Sequence, residues 1–277
     1  MKFEQKKVLA EDVNVSYFDE GTNPGIPIIF IHGFPFNKVM WESQLDLLKD
    51  NYRVLAYDVR GHGDSNPGIQ QFTLTQFVND LFLFMDALYI KKAFVCGLSM
   101  GGYIALKAIQ ESPERIAGLI LCDTQCTADS EEGKKKRSDT IHAVQENGLK
   151  QYAEDSVEKL FSKTSLASKK QTVASIEGTI LHTPVETIVN TLMALAGRSE
   201  TCSSLHLIKV PVLIMVGAED QITPPEAARK MHQLIPNSEL QLLEKAGHVS
   251  NLEAPEIFNS HLHAFLKAAS PKVLKEI

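Results

Sequence analysis

The stretch IPIIFIHG, residues 26–33, is a continuous apolar run that ends in glycine. A run of this length without alternation suits a strand buried on both faces, which requires cover above and below the sheet. Further strands read at 13–21, 52–61, 92–97, 116–123, 210–220 and 238–244. Between them lie helical patterns at 40–50, 73–88, 100–111, 224–235 and 254–269. Thr73 opens the second of these as an N-cap, and proline stands in the first turn of the fourth. Repeated strand–helix units predict the α/β class: a mostly parallel sheet of about eight strands with helices on both faces.

Residues 129–203 break this rhythm. They carry no buried-strand pattern, and helical segments read at 138–147, 149–161, 168–181 and 185–196. A helical insertion between two core strands must sit at an end of the sheet, so it is expected as a cap over the strand C-termini. The organisation is thus a core of 1–128 and 204–277 with a helical cap of 129–203. The tail 270–277 is expected to fray.

Composition narrows the partners. With 28 Lys and Arg against 34 Asp and Glu, the net charge is −6, and a nucleic-acid partner is not expected. The basic run 134–137 follows Glu131 and Glu132 and reads as a solvated helix start. No apolar stretch reaches the length of a membrane span, and the N-terminus lacks the apolar segment of a signal peptide. The four cysteines, Cys96, Cys122, Cys126 and Cys202, show no metal-ligand spacing. They are expected as buried free thiols, and a cytoplasmic location follows as the default. Oligomeric state is left open.

Chemistry enters at Gly97-Leu98-Ser99-Met100-Gly101, a G-x-S-x-G pattern between a strand and a helix. There a sharp turn would lift the Ser99 hydroxyl clear of the sheet, and glycines two positions either side would avoid collision with neighbouring backbone. A serine hydroxyl is a weak nucleophile and needs a base, a group to orient the base, and donors for a developing oxyanion. Of nine histidines, His248 lies in a loop between the last strand and the last helix, where an open sheet places its ligands. Asp220 closes the apolar strand 210–220 and is the expected acid; Asp123, at the end of another strand, competes for the role. The expected oxyanion donors are the main-chain N–H groups of Met100 and Phe34, since Pro35 has none. Phe36 and Trp41 are candidates for an apolar substrate pocket. His32 is expected to brace its loop, and His62 to pack beneath the site.

The motifs HGFP, DVRGHGDS, GLSMGG, VPVLIMVGAED and AGHVSNLEAP occur in this order. Together they resemble the α/β-hydrolase superfamily over residues 13–268, and within it the small carboxylesterases and the 3-oxoadipate enol-lactonase group. Serine at the turn sets the chain apart from the aspartate and cysteine branches of the fold. The resemblance implies hydrolysis of small-molecule esters or lactones through an acyl-enzyme on Ser99. The competing expectations are a perhydrolase, a C–C bond hydrolase, or a ligand-binding and signalling member with slow turnover. No cofactor and no metal are expected. Arg137 and Arg198 are the candidate partners for a substrate carboxylate, each weighed against a plain surface charge.

Overall fold

The computed structural model describes residues 2–22 and 24–274. The strands are β1 (Lys6–Ala10), β2 (Val13–Glu20), β3 (Ile28–Ile31), β4 (Val54–Tyr57), β5 (Ala93–Leu98), β6 (Ile116–Cys122), β7 (Val212–Gly217) and β8 (Ser238–Leu243). They form one eight-stranded sheet in the order β1-β2-β4-β3-β5-β6-β7-β8. Strand β2 runs antiparallel to both β1 and β4, and the pairings from β4 to β8 are parallel. The core helices are α1 (Glu42–Leu48), α2 (Leu74–Ala87) and α3 (Met100–Glu111). Between β6 and β7 come α4 (Glu131–Asn147), α5 (Lys150–Leu160), α6 (Lys163–Ser168), α7 (Lys170–His182) and α8 (Val185–Ala196). The chain closes with α9 (Pro225–Leu234), α10 (Ser250–Glu253) and α11 (Pro255–Leu274).

The central strands are apolar throughout because both faces are covered. Ile29 and Ile31 of β3, Leu55 and Tyr57 of β4, and Val95 of β5 point into a cluster with Phe77, Leu81 and Phe84 of α2 and Ile104 of α3. Their neighbours Ile28, Phe30, Val54, Ala56, Phe94 and Cys96 point the other way, against Leu45 of α1 and Phe258, Leu262 and Leu266 of α11. Burying such side chains contributes about 1.5–3 kcal/mol each, so the two-layer cover is the main stabilising feature.

Three expectations are corrected. Strand β1, which the pattern of residues 6–10 does not predict, pairs with β2 through a turn at Glu11, which has a φ of 54°. Helix α11 continues through Leu274 where fraying was expected; residues 275–277 of that tail lie outside the described residues. Cys126 and Cys202 form a disulfide rather than free thiols, because the exits of β6 and α8 bring their Cα atoms to 4.9 Å. This removes two of the four cysteines from the argument for a reducing compartment. Cys96 and Cys122 are free and buried. Among the described residues no helix is long and apolar enough to cross a membrane.

Candidate active site

Ser99 sits where β5 ends and α3 begins, with φ 53° and ψ −111°. Its backbone is pinned on both sides: Ser99 N–H donates to the Cys122 carbonyl at 2.9 Å, and the Thr124 hydroxyl donates to the Ser99 carbonyl at 2.8 Å. The flanking glycines allow this. A Cβ on Gly97 would lie 2.2 Å from the Gly101 carbonyl oxygen, and one on Gly101 would lie 2.2 Å from that of Ile31.

The three residues singled out for nucleophile, base and acid come together. Ser99 Oγ lies 2.8 Å from His248 Nε2, and His248 Nδ1 lies 2.8 Å from Asp220 Oδ2. His248 is 2% exposed and Ser99 8%. Asp220 Oδ1 accepts the N–H groups of Ile222 and Thr223, and the Thr223 hydroxyl donates to Oδ2 at 2.8 Å. Burial opposes its charge most strongly, yet the charge and hydrogen bond of His248, with the two hydrogen bonds from Thr223, hold the Asp220 pKa below the ordinary value. For His248 burial is again the largest single effect and disfavours the imidazolium. The charge and hydrogen bond of Asp220, with the charges of Asp123 and Glu253, outweigh it and raise the His248 pKa. Asp123 lies close by, but His248 Nδ1 is bonded to Asp220.

The loop bearing His248 is fixed along its length. Gly247 N–H donates to Glu253 Oε1 at 2.7 Å, and His248 N–H donates to the Leu160 carbonyl at 2.7 Å. Glu253 Oε2 accepts from Ser162 N–H at 2.8 Å, so one carboxylate joins this loop to the α5–α6 junction. Thr223 and Glu253 were not picked out from the sequence. The signal for Thr223 was its spacing of three from Asp220, the spacing of a side chain that closes a turn. Glu253 stands inside the quoted stretch HVSNLE.

Among the described residues, the N–H groups of Phe34 and Met100 donate to no main-chain acceptor outside helix and strand ladders. Met100 N–H is moreover the first of helix α3, where the helix dipole favours negative charge. The loop of Phe34 is braced by His32. Its Nδ1 donates to the Gly33 carbonyl at 2.8 Å and its Nε2 accepts from Val59 N–H at 2.9 Å. Burial lowers the His32 pKa to about 4, so the ring is neutral. His62 is fully buried with its ring edge-on to Phe34 at 6.1 Å.

Residues 26–255 match the alpha/beta hydrolase fold family. The chain belongs to that family. Among α/β-hydrolase relatives, 3-oxoadipate enol-lactonase 1 of Acinetobacter baylyi is 30% identical over 264 residues, covering 95% of each chain. A thermophilic esterase from Thermogutta terrifontis superposes with a TM-score of 0.91 at 30% identity, over 96% of this chain and 99% of that one. The enol-lactonase from Burkholderia xenovorans LB400 gives 0.88 at 26% identity, over 95% and 100%.

Within this α/β-hydrolase one of the two expected pocket residues, Trp41, is packed into the core. Trp41 is 0% exposed and packs between Phe30, at 5.0 Å, and Phe258, at 6.2 Å. Phe36 is buried too. The turn Lys38–Trp41 carries the Trp41 side chain into the core against Phe30 and Phe258, whereas Phe36, ahead of that turn, lines a cavity beside Ile176 and Thr179 of α7. Phe34 also meets the helical segment, packing with Val144, Ile188 and Leu192. The two candidate arginines converge on one carboxylate: Arg198 Nη1 donates to Asp129 Oδ1 at 2.6 Å and Arg137 Nε to Oδ2 at 2.5 Å. Arg198 is buried, stacked on Tyr103 at 4.4 Å, rather than a surface charge.

Proposed function

We propose that the chain is a serine hydrolase that cleaves small carboxylic esters or lactones. The observation that carries this reading is the hydrogen-bonded chain Ser99–His248–Asp220 with the serine on a strained strand-to-helix turn. In the proposed reaction His248 Nε2 takes the Ser99 proton as Oγ attacks the substrate carbonyl. Asp220 accepts the hydrogen bond from Nδ1–H and stabilises the imidazolium. The tetrahedral oxyanion receives hydrogen bonds from the N–H groups of Phe34 and Met100. Collapse expels the alcohol, which takes its proton from His248 and leaves an acyl group on Ser99. Water, deprotonated by the same histidine, then releases the acid and restores the serine.

The substrate class follows from what surrounds this centre. Phe34, whose N–H is the proposed oxyanion donor, packs on the buried cluster of Val144, Ile188 and Leu192, and its ring would give the acyl or alcohol group an apolar contact. Arg137 and Arg198 are already paired with Asp129, which favours uncharged esters and lactones over substrates that need a free guanidinium. The esterase and enol-lactonase relatives support the same bond type.

The test is a panel of p-nitrophenyl esters of increasing acyl length together with simple lactones, with Ser99→Ala as the control. The expected result is turnover on short esters or lactones and a loss of at least about 10⁴-fold in kcat on removing the hydroxyl. Wild-type rates in Ser99→Ala would overturn the proposal. Acylation of Ser99 without release would favour a ligand-binding role.

A further inference from the structure

Asp123 is completely buried at the end of β6, in a left-handed backbone conformation with φ 45°. Its own N–H is held by the Met215 carbonyl at 2.9 Å, which aims the side chain across the end of β7. Oδ1 accepts the Gly217 N–H at 2.9 Å, and Gly217 is the last residue of β7, three before Asp220. Oδ2 meets the Ser250 hydroxyl at 2.6 Å and the Ser250 N–H at 3.4 Å, two residues beyond His248. One carboxyl group therefore touches both loops that carry the acid and the base, and neither of its oxygens contacts Ser99. The loops already meet: a Cβ on Gly217 would lie 2.0 Å from the Gly247 carbonyl oxygen.

We propose that Asp123 is a positioning residue, tying the Asp220 and His248 loops to the end of β6 through hydrogen bonds that asparagine can replace. Its functional meaning rests on the serine-hydrolase reading above. Burial first, and the negative charge of Asp220 second, push the Asp123 pKa well up despite the opposing His248, Ser250 and Gly217 contacts. The protonated acid is thereby favoured. Asparagine keeps the tie to Gly217, its amide oxygen accepting that N–H, and its NH₂ can donate to the Ser250 hydroxyl once that hydroxyl turns from donor to acceptor; it gives up only the long 3.4 Å contact with Ser250 N–H. Alanine keeps neither tie. A displacement of His248 by about 1 Å is enough to cost roughly 10²-fold in rate.

The experiment compares Asp123→Asn, Asp123→Ala and Ser250→Ala by kcat, KM, pH profile and the low-field proton resonance of His248 Nδ1–H. Asp123→Asn is expected to keep kcat within about threefold, with the acid limb of the profile unmoved. Asp123→Ala is expected to lose roughly ten- to hundredfold in kcat at little changed KM, with a broadened or lost resonance. Ser250→Ala, which removes one side-chain tie and serves if Asp123→Ala does not fold, should fall between them. The proposal is overturned if Asp123→Ala or Ser250→Ala keeps wild-type kcat and resonance. It is also overturned if Asp123→Asn is as impaired as alanine or displaces the acid limb, since charge would then be its role. Should the wild-type protein turn over no ester or lactone, the hydrolase reading fails separately, and the resonance still reports whether Asp123 positions His248.

Discussion

A serine at φ 53° holds a conformation that costs about 1–3 kcal/mol, and it persists only where its surroundings over-determine it. Here Cys122, Thr124 and the mutual contact of Gly97 with Gly101 do so. The strain aims Oγ at His248, whose raised pKa matters for the proposed base. Only the neutral imidazole accepts the Ser99 proton, so activity should fall as pH drops through a midpoint above the ordinary histidine value of about 6.5. Asp220→Asn removes the charge that raises that pKa. Its residual activity should titrate at lower pH, with kcat reduced by about 10⁴-fold. Profiles of kcat/KM against pH for the two proteins check the direction; a variant limb at the same or higher pH would contradict it.

At the level of elements, glycines with the same side chain have opposite duties. Gly101 lies where α3 crosses the end of β3, and any Cβ there meets the Ile31 carbonyl. Gly178 lies within α7 with no atom within 4 Å of the Cβ position. Gly101→Ala should destabilise the fold by about 3 kcal/mol or more, because backbone must move. Gly178→Ala should stabilise it by about 0.5–1 kcal/mol through helix propensity. Urea denaturation of both variants measures the contrast. The strands β3 to β7 were readable because two-sided burial writes unbroken apolar runs. Strand β1 was not, since it is an edge strand whose residues alternate in exposure and whose Leu9 is 67% exposed. Placing Ser99, Asp220 and His248 near one another needed only the rule that each follows a strand's C-terminal end. The direction of Trp41 depends on how a 3₁₀ turn closes, which local pattern does not encode. Glu253 and Asp123 were obscure for a related reason: each accepts hydrogen bonds from residues of other segments that come within reach only once the loops are folded.

Over the whole molecule, the helical segment from α4 to α8 is held to the sheet at three places. Its two ends are clasped by the Cys126–Cys202 disulfide, the Thr201 N–H to Cys126 carbonyl bond, and the Arg198–Asp129 ion pair. Its middle is joined to the His248 loop through Leu160, Ser162 and Glu253. Its far end reaches the loops beside Phe34 and His62, where Thr183 and Thr187 donate to the Pro35 and Gly61 carbonyls. The pairing of cysteines 76 residues apart was invisible in the sequence, since it follows from the tertiary proximity of two chain exits. Closing a loop of that length restricts the unfolded chain and stabilises by about 2–4 kcal/mol. The Cys126→Ser, Cys202→Ser variant should lose that much in urea denaturation, and wild-type protein in strong reductant should match it. Because the disulfide lies at the clasp, while His248 is held separately through Leu160 and Glu253, kcat on a short ester should stay within about twofold of wild type under native conditions. A large fall in kcat with unchanged stability would mean instead that the clasp, as well as the Leu160–Glu253 junction, governs the geometry of the His248 loop.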